Sequence, residues 1–191
     1  MRYQVNTDHI RDALKTLRVG DQVLLSGTVY TARDAAHKQI FELLDRGEEP
    51  PFPLKDAILY YAGPTPARGN MPVGACGPTT AGRMDGFVPR LLGLGVAAMI
   101  GKGERNKSVQ DAVRLSGACY FCAAGGAGAW IARCVRESRE VAFPWLGCES
   151  VKQLTVCDLP LIVALDRRGG NLFVTGRAEF RKVEENCPGR S

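Results

Sequence analysis

The sequence predicts one α/β domain with a mixed central sheet and short flanking helices. Three observations carry that expectation. Through the middle of the chain, short apolar runs alternate with short helical runs, the pattern of a sheet whose central part is mainly parallel. The two ends of the chain are richer in strand-like runs, which makes the sheet mixed. The 191 residues, 45% hydrophobic and 24% charged, are enough for one sizeable core, and no internal repeat or low-complexity block divides them. Residues 1–191 are therefore read as a single domain, with 1–16 as an N-terminal extension and 178–191 as a loose polar tail.

Taken in order, QVLLSGTVYT (22–31) is a strand with Gly27 as a bulge position. RDAAHKQIFELLDRG follows as a helix, with Asp34 as N-cap, an apolar stripe of Ala36, Ile40, Leu43 and Leu44, and Gly47 as the stop. AILYY (57–61) is a short apolar strand that opens into a long loop rich in glycine and proline. TTAGRMDGFVPRLLGLG (79–95) is expected as a helix opened by threonines, with Phe87, Leu91 and Leu94 on its apolar face and a break or kink at Pro89. VAAMIGKG is a buried strand ending at a lysine, and SVQDAVRLSG a short helix with Ser108 as N-cap and Asp111 in its first turn. ACYFCA is another strand, and GGAGAWIARCV a helix opened by glycines. LPLIVALD, RRGG and NLFVTG read as a hairpin.

Composition excludes several functions. The net charge of +5 is mild, and its basic residues are scattered without interleaved aromatics, so no nucleic-acid surface is expected. No apolar run reaches the length of a membrane span, and the N-terminus lacks the apolar stretch of a signal peptide, which points to the cytoplasm. An odd number of cysteines, seven, argues against a disulfide framework. Cys119 and Cys122 lie on one strand, where positions three apart face opposite ways, so this pair makes neither a metal site nor a redox pair. No metal-ligand cluster is read from the sequence.

Three strand ends carry polar groups where open α/β sheets bind ligands. Arg33 and His37 flank Asp34 at the first; an isolated histidine there is expected to cap or pack. At the second, GPTTAGRMD, the hydroxyls of Thr79 and Thr80 and free amides at a helix start can hold a carboxylate or phosphate. Arg83 lies one turn on, and a two-pronged arginine–carboxylate pair fixes both charge and orientation. Gly77 and Gly82 allow close backbone approach; the alternative is an ordinary threonine cap with a solvated arginine. At the third, Lys102 sits between Gly101 and Gly103 and can reach a second carboxylate; the stretch is not a P-loop. The Gly125–Gly128 run is a weaker signal, more often close packing. These pieces together bind a small, multiply charged anion and specify no reaction.

SGTVYTARDAAHKQ, YYAGPTPA, GPTTAGRMD, MIGKGE and LPLIVALDRRGGNLF occur in that order. On them the chain, from about residue 17 to residue 175, resembles the β subunit or C-terminal domain of the iron–sulfur-dependent hydro-lyases, the class I fumarases and tartrate dehydratases. The resemblance implies a swivelling β/β/α domain, and a four-iron cluster held not by this chain but by the cysteines of an α-subunit partner in a hetero-oligomer. It implies Thr79 as the proton-transfer group and Arg83, Lys102 and Arg33 as ligands of a dicarboxylate substrate. Asp34, His37, Thr80 and Asp85 fall within the same motifs as supporting residues. Cys76 stands where a small residue such as alanine is expected and is read as a packing variant. The GRMD and ARDAAH forms resemble fumarases more than tartrate dehydratases, with methylfumarate-type substrates also open. A non-catalytic anion-binding or assembly module is the competing class.

Overall fold

The computed structural model describes residues 1–184. Strand β1 (Arg2–Asn6) leads into helix α1 (Ile10–Thr16), then β2 (Gln22–Thr31) and α2 (Asp34–Asp45). Next come β3 (Ile58–Tyr60), α3 (Val88–Gly93), β4 (Ala98–Gly101), α4 (Lys107–Ser116), β5 (Cys119–Cys122) and α5 (Gly128–Ala132). The chain finishes with β6 (Val135–Ala142), β7 (Val151–Leu165) and α6 (Leu172–Glu184). Strands β1 to β5 are parallel, each to the next. The long β7 runs antiparallel to β5 on one side and β2 on the other, which closes β2-β3-β4-β5-β7 into a five-stranded, barrel-like ring. The mixed central sheet with short flanking helices expected from the sequence is the one observed.

Two apolar clusters, one on each face of the strands, hold this sheet. Alternation along each strand divides the side chains between them. Ile58 and Tyr60 join Val23, Leu25, Ile100 and Phe121 in the first, which α1 covers with Ile10 and Leu14. Leu59 and Tyr61 join Met99, Tyr120 and the buried faces of α2, α3 and α4 in the second. Residues 1–16, read as an extension, thus supply an edge strand and a covering helix. Cys119 lies in the first cluster and Cys122 against the second, as strand alternation requires. Among the described residues no helix is long and apolar enough to cross a membrane.

Several local expectations are corrected. The β2 register does shift beside Gly27, but the extra residue is on β7, where Cys157 and Asp158 oppose Ser26 alone and Asp158 takes φ 53°. The cap of α2 is Arg33; Asp34 is the first helical residue. Asn106 caps α4 by accepting from the Val109 amide, so Ser108 lies inside the helix, and Asp111 pairs with Lys107 a turn later. Residues 79–95 do not form one helix. Thr80 is extended and bridges to Lys102, a 3₁₀ turn covers Ala81–Met84, and only Val88–Gly93 is helical, with Pro89 in its opening turn, where the missing amide costs nothing. Leu94, expected on the apolar face, is exposed.

The hairpin expected at 159–176 is also absent. Its first half belongs to β7, whereas NLFVTG opens α6. Asp166 explains the change of direction: its carboxylate accepts the amides of Arg168, Gly170 and Val19 at 2.8, 3.0 and 3.0 Å. Asn171 then accepts from the Phe173 amide at 3.0 Å and starts the helix. Of the tail 178–191, the part to Glu184 continues α6, and the remainder, with Cys187, lies outside the described residues.

Candidate active site

Because β2 to β5 are parallel, their C-terminal ends gather at one end of the sheet, and the three polar segments leave from there. Arg33 follows β2, Lys102 follows β4, and the loop after β3 returns at Thr79. Backbone bonds fix that return. The Thr79 amide donates to the Tyr61 carbonyl at 2.7 Å, the Lys102 amide to Thr79 at 3.2 Å, and the Ala81 amide to Lys102 at 2.8 Å. Thr79 and Ala81 therefore spend their amides on the sheet, and no helix start offers them to a ligand. Gly101 is required under this crossing, since a Cβ there would lie 2.9 Å from the Tyr61 ring and 3.0 Å from Ala81 Cβ.

What the segment presents instead is side chains. Arg83 Nη2 donates to Thr79 Oγ1 at 2.7 Å and lies 3.4 Å from Asp34 Oδ2. The 3₁₀ turn folds Arg83 back over Thr79, and the start of α2 supplies Asp34. A guanidinium held against a hydroxyl oxygen stabilises negative charge on that oxygen. Arg83 remains 47% exposed, so it can still meet a ligand.

Arg33 Nη2 is 3.1 Å from Glu149 Oε1, just before β7, and Glu149 also accepts from the Ala35 amide at 3.4 Å. Gly63 makes room for it: a Cβ there would stand 2.9 Å from Arg33 Nη1 and 3.1 Å from the Cys148 carbonyl. Lys102 is exposed beside Gly125, and among the described residues its ammonium has no hydrogen bond or ion pair. Thr80 is exposed and pairs only through its backbone with Lys102.

The remaining expected residues lie beneath this surface. His37 is fully buried, its Nδ1 2.8 Å from the Arg33 carbonyl and its ring against Tyr61 and Phe87. Burial pulls its imidazole down to about 4, so it is neutral, with the proton on Nδ1 as donor. Asp85 Oδ1 accepts from Arg105 Nε at 2.6 Å, and Oδ2 from the Asn106 amide at 2.7 Å. Cys76 is buried, and burial pushes its thiol up to about 12, which leaves it a neutral packing group. Gly77 is close to the Gly128 backbone, 3.3 Å from its would-be Cβ, so the glycines there serve packing; Gly82 has no contact that close.

The structure thus joins Thr79, Arg83 and Asp34 directly, and pairs Lys102 with them through backbone. Glu149, Gly63, Tyr61 and Arg105 were not read from the sequence. Arg105 stands three residues beyond Lys102 in GKGERN and was within reach of that motif; Glu149 is remote from every motif and had no local signal. Among the described residues no three His, Cys, Asp or Glu side chains come together as metal ligands, so those residues do not fit a cluster. Three cations set against two carboxylates leave this surface net positive, which suits a dicarboxylate.

Comparison with known proteins gives the family of the chain. The family model for the fumarase C-terminus matches residues 1–176. The chain is 38% identical over 168 residues to fumarate hydratase 2 of Leishmania major, covering 87% of this chain and 30% of that protein. It is 38% identical over 157 residues to the anaerobic class I fumarate hydratase of Escherichia coli, covering 81% of this chain and 29% of that one. The chain thus spans under a third of the length of these fumarate hydratases. It is 37% identical over 192 residues to a putative L(+)-tartrate dehydratase subunit beta of Methanocaldococcus jannaschii, covering 97% of this chain and 98% of that subunit. The match along nearly the whole sheet, with relatives this similar, places the chain in the fumarase C-terminus family.

Proposed function

We propose that this chain is the β-subunit part of an iron–sulfur hydro-lyase that interconverts fumarate and malate in the cytoplasm, together with an α-subunit partner. The observation that carries the reading is the Arg83–Thr79 hydrogen bond of 2.7 Å at the C-terminal end of the sheet, where the Lys102 ammonium has no partner among the described residues. Relatives named fumarate hydratase support the substrate. The four-iron cluster is assigned to the partner, because the described residues here do not fit it, and no step is derived through it. The closed sheet is read as a swivelling β/β/α domain that brings its polar end to the substrate.

In this reading Arg33, Arg83 and Lys102 bind the two carboxylates and stabilise charge that develops on one of them when the adjacent carbon loses its proton. Thr79 Oγ1, reacting as the alkoxide, takes that proton and becomes the hydroxyl. A threonine hydroxyl is a weak base in water, and the guanidinium against it favours the oxyanion that the step needs. Asp34 and Glu149 keep Arg83 and Arg33 from folding onto solvent. A second reading, tartrate dehydration, is favoured by the match spanning 98% of a putative tartrate dehydratase subunit beta.

The test is co-purification with a cluster-bearing partner, followed by a screen of fumarate, methylfumarate and tartrate. Turnover of fumarate is expected. Turnover of tartrate alone selects the second reading, and an assembled complex inert toward all three leaves a non-catalytic anion-binding module.

A further inference from the structure

Beneath the site lies a buried polar cluster that the proposed chemistry does not use. Arg105 is fully buried; its Nε is bonded to Asp85, and its Nη1 and Nη2 have no hydrogen-bond partner among the described residues. His37 Nε2 and the Tyr61 hydroxyl are likewise buried without partners. These groups surround one guanidinium, which lies over the Tyr61 ring at 5.4 Å and the Tyr120 ring at 4.8 Å, while the His37 and Tyr61 rings are 5.7 Å apart. A buried cation with idle donors is unfavourable as packing, and apolar groups of the same volume hold a core at least as well. Its connections give it another use.

We propose that Arg105 is a positioning residue that sets the Thr79–Arg83 arm, the Lys102 turn and the Arg33 arm in one fixed geometry. Each link is short. Asp85, which Arg105 holds at 2.6 Å, closes the turn that carries Arg83. Tyr61, under the guanidinium, accepts the Thr79 amide at 2.7 Å. Tyr120, whose ring the guanidinium also lies over, donates from its hydroxyl to the Gly103 carbonyl at 2.9 Å and so pins the residue after Lys102. His37, in edge contact with Tyr61, holds the Arg33 carbonyl at 2.8 Å. A guanidinium can lie over two aromatic rings while its Nε–H bonds a carboxylate, and an ammonium cannot do both.

The inference rests on the hydro-lyase reading for its effect on rate, but its geometric part is testable without it. Hydrogen exchange is measured on the full chain and on Arg105→Lys. The Thr79, Ala81 and Lys102 amides should exchange at least about tenfold faster in the variant, while the β1–β2 ladder keeps its protection. Uniform acceleration means general destabilisation, and no acceleration means no positioning; either overturns the proposal. In the assembled enzyme, Arg105→Lys should lower kcat by up to about a hundredfold at unchanged cluster content, and ethylguanidinium should partly restore Arg105→Ala where methylammonium does not. A folded Arg105→Lys complex with normal kcat overturns the proposal. A wild-type complex inert toward every dicarboxylate fails the hydro-lyase reading instead, and the exchange result still decides the role of Arg105.

Discussion

Arg83 uses a single nitrogen, Nη2, for two tasks: it donates to Thr79 Oγ1 at 2.7 Å and faces Asp34 Oδ2 at 3.4 Å. The carboxylate orients the guanidinium and the hydroxyl receives it. The side chain remains about half exposed, so a substrate carboxylate can meet it.

Replacement of Arg83 should therefore act on the reaction more than on the fold. Its pairs are half-exposed and contribute little to stability. Once substrate and partner exclude water, loss of a charged hydrogen-bond donor is expected to cost about 2–5 kcal/mol. Arg83→Ala should lower kcat/KM for fumarate accordingly with a near-normal melting temperature. Arg83→Lys should recover only part, since an ammonium cannot make a two-pronged contact. Steady-state kinetics of the assembled enzyme check this, and an unchanged kcat/KM would remove Arg83 from the site.

His37 gives the domain a pH signature. Its imidazole falls from 6.5 to about 4 on folding because burial penalises the charged form, while Asp34 opposes and Arg105 adds to the shift. The unfolded chain thus binds a proton through this interval and the folded one does not. The stabilisation is complete above about pH 6.5 and is lost as pH falls toward 4, by at most about 3 kcal/mol. His37→Asn removes the titration, so the difference in unfolding free energy between wild type and variant should grow more favourable to the variant as pH drops through that window. A pH-independent difference would show that His37 does not titrate there.

Gly63 tests the placement of Arg33. A methyl at this position meets the end of the Arg33 guanidinium at 2.9 Å, which can move aside, and the Cys148 carbonyl at 3.1 Å, which must give slightly. Gly63→Ala should lower the melting temperature modestly and raise KM for the dicarboxylate, from a few-fold to about a hundredfold according to how far Arg33 is displaced. Unaltered kinetics would exclude Arg33 from substrate binding.

How much of this was legible in the sequence follows from the range of each interaction. The strand–helix alternation between residues 22 and 132 was readable because it depends on local apolar periodicity. The anion-binding character of GPTTAGRMD was readable from residue types. Its helix was wrongly read, because the Thr79 and Ala81 amides are taken by the Tyr61 and Lys102 carbonyls, which no local propensity registers. NLFVTG looked like a strand from its β-branched and aromatic residues; the Asp166 turn and the Asn171 side chain override them. The edge strand β6, VRESREVA, was missed because its charged residues hide the alternation that its pairing with β7 uses. Glu149 meets Arg33 only because β7 pairs with β2, a long-range contact that leaves no trace near either residue.

The most direct test of Thr79 as the proton-transfer group is the turnover of folded Thr79→Val and Thr79→Ser in the assembled enzyme. Valine keeps the shape and removes the oxygen that Arg83 addresses; serine keeps the oxygen and removes a methyl. The backbone bonds of residue 79 to Tyr61 and Lys102 are untouched by either change, so both variants should fold. The valine variant should lose about a hundred- to ten-thousand-fold in kcat and the serine variant should retain part of it. A valine variant that turns over fumarate at close to the wild-type rate would contradict the proton-transfer role and leave Thr79 as a structural residue.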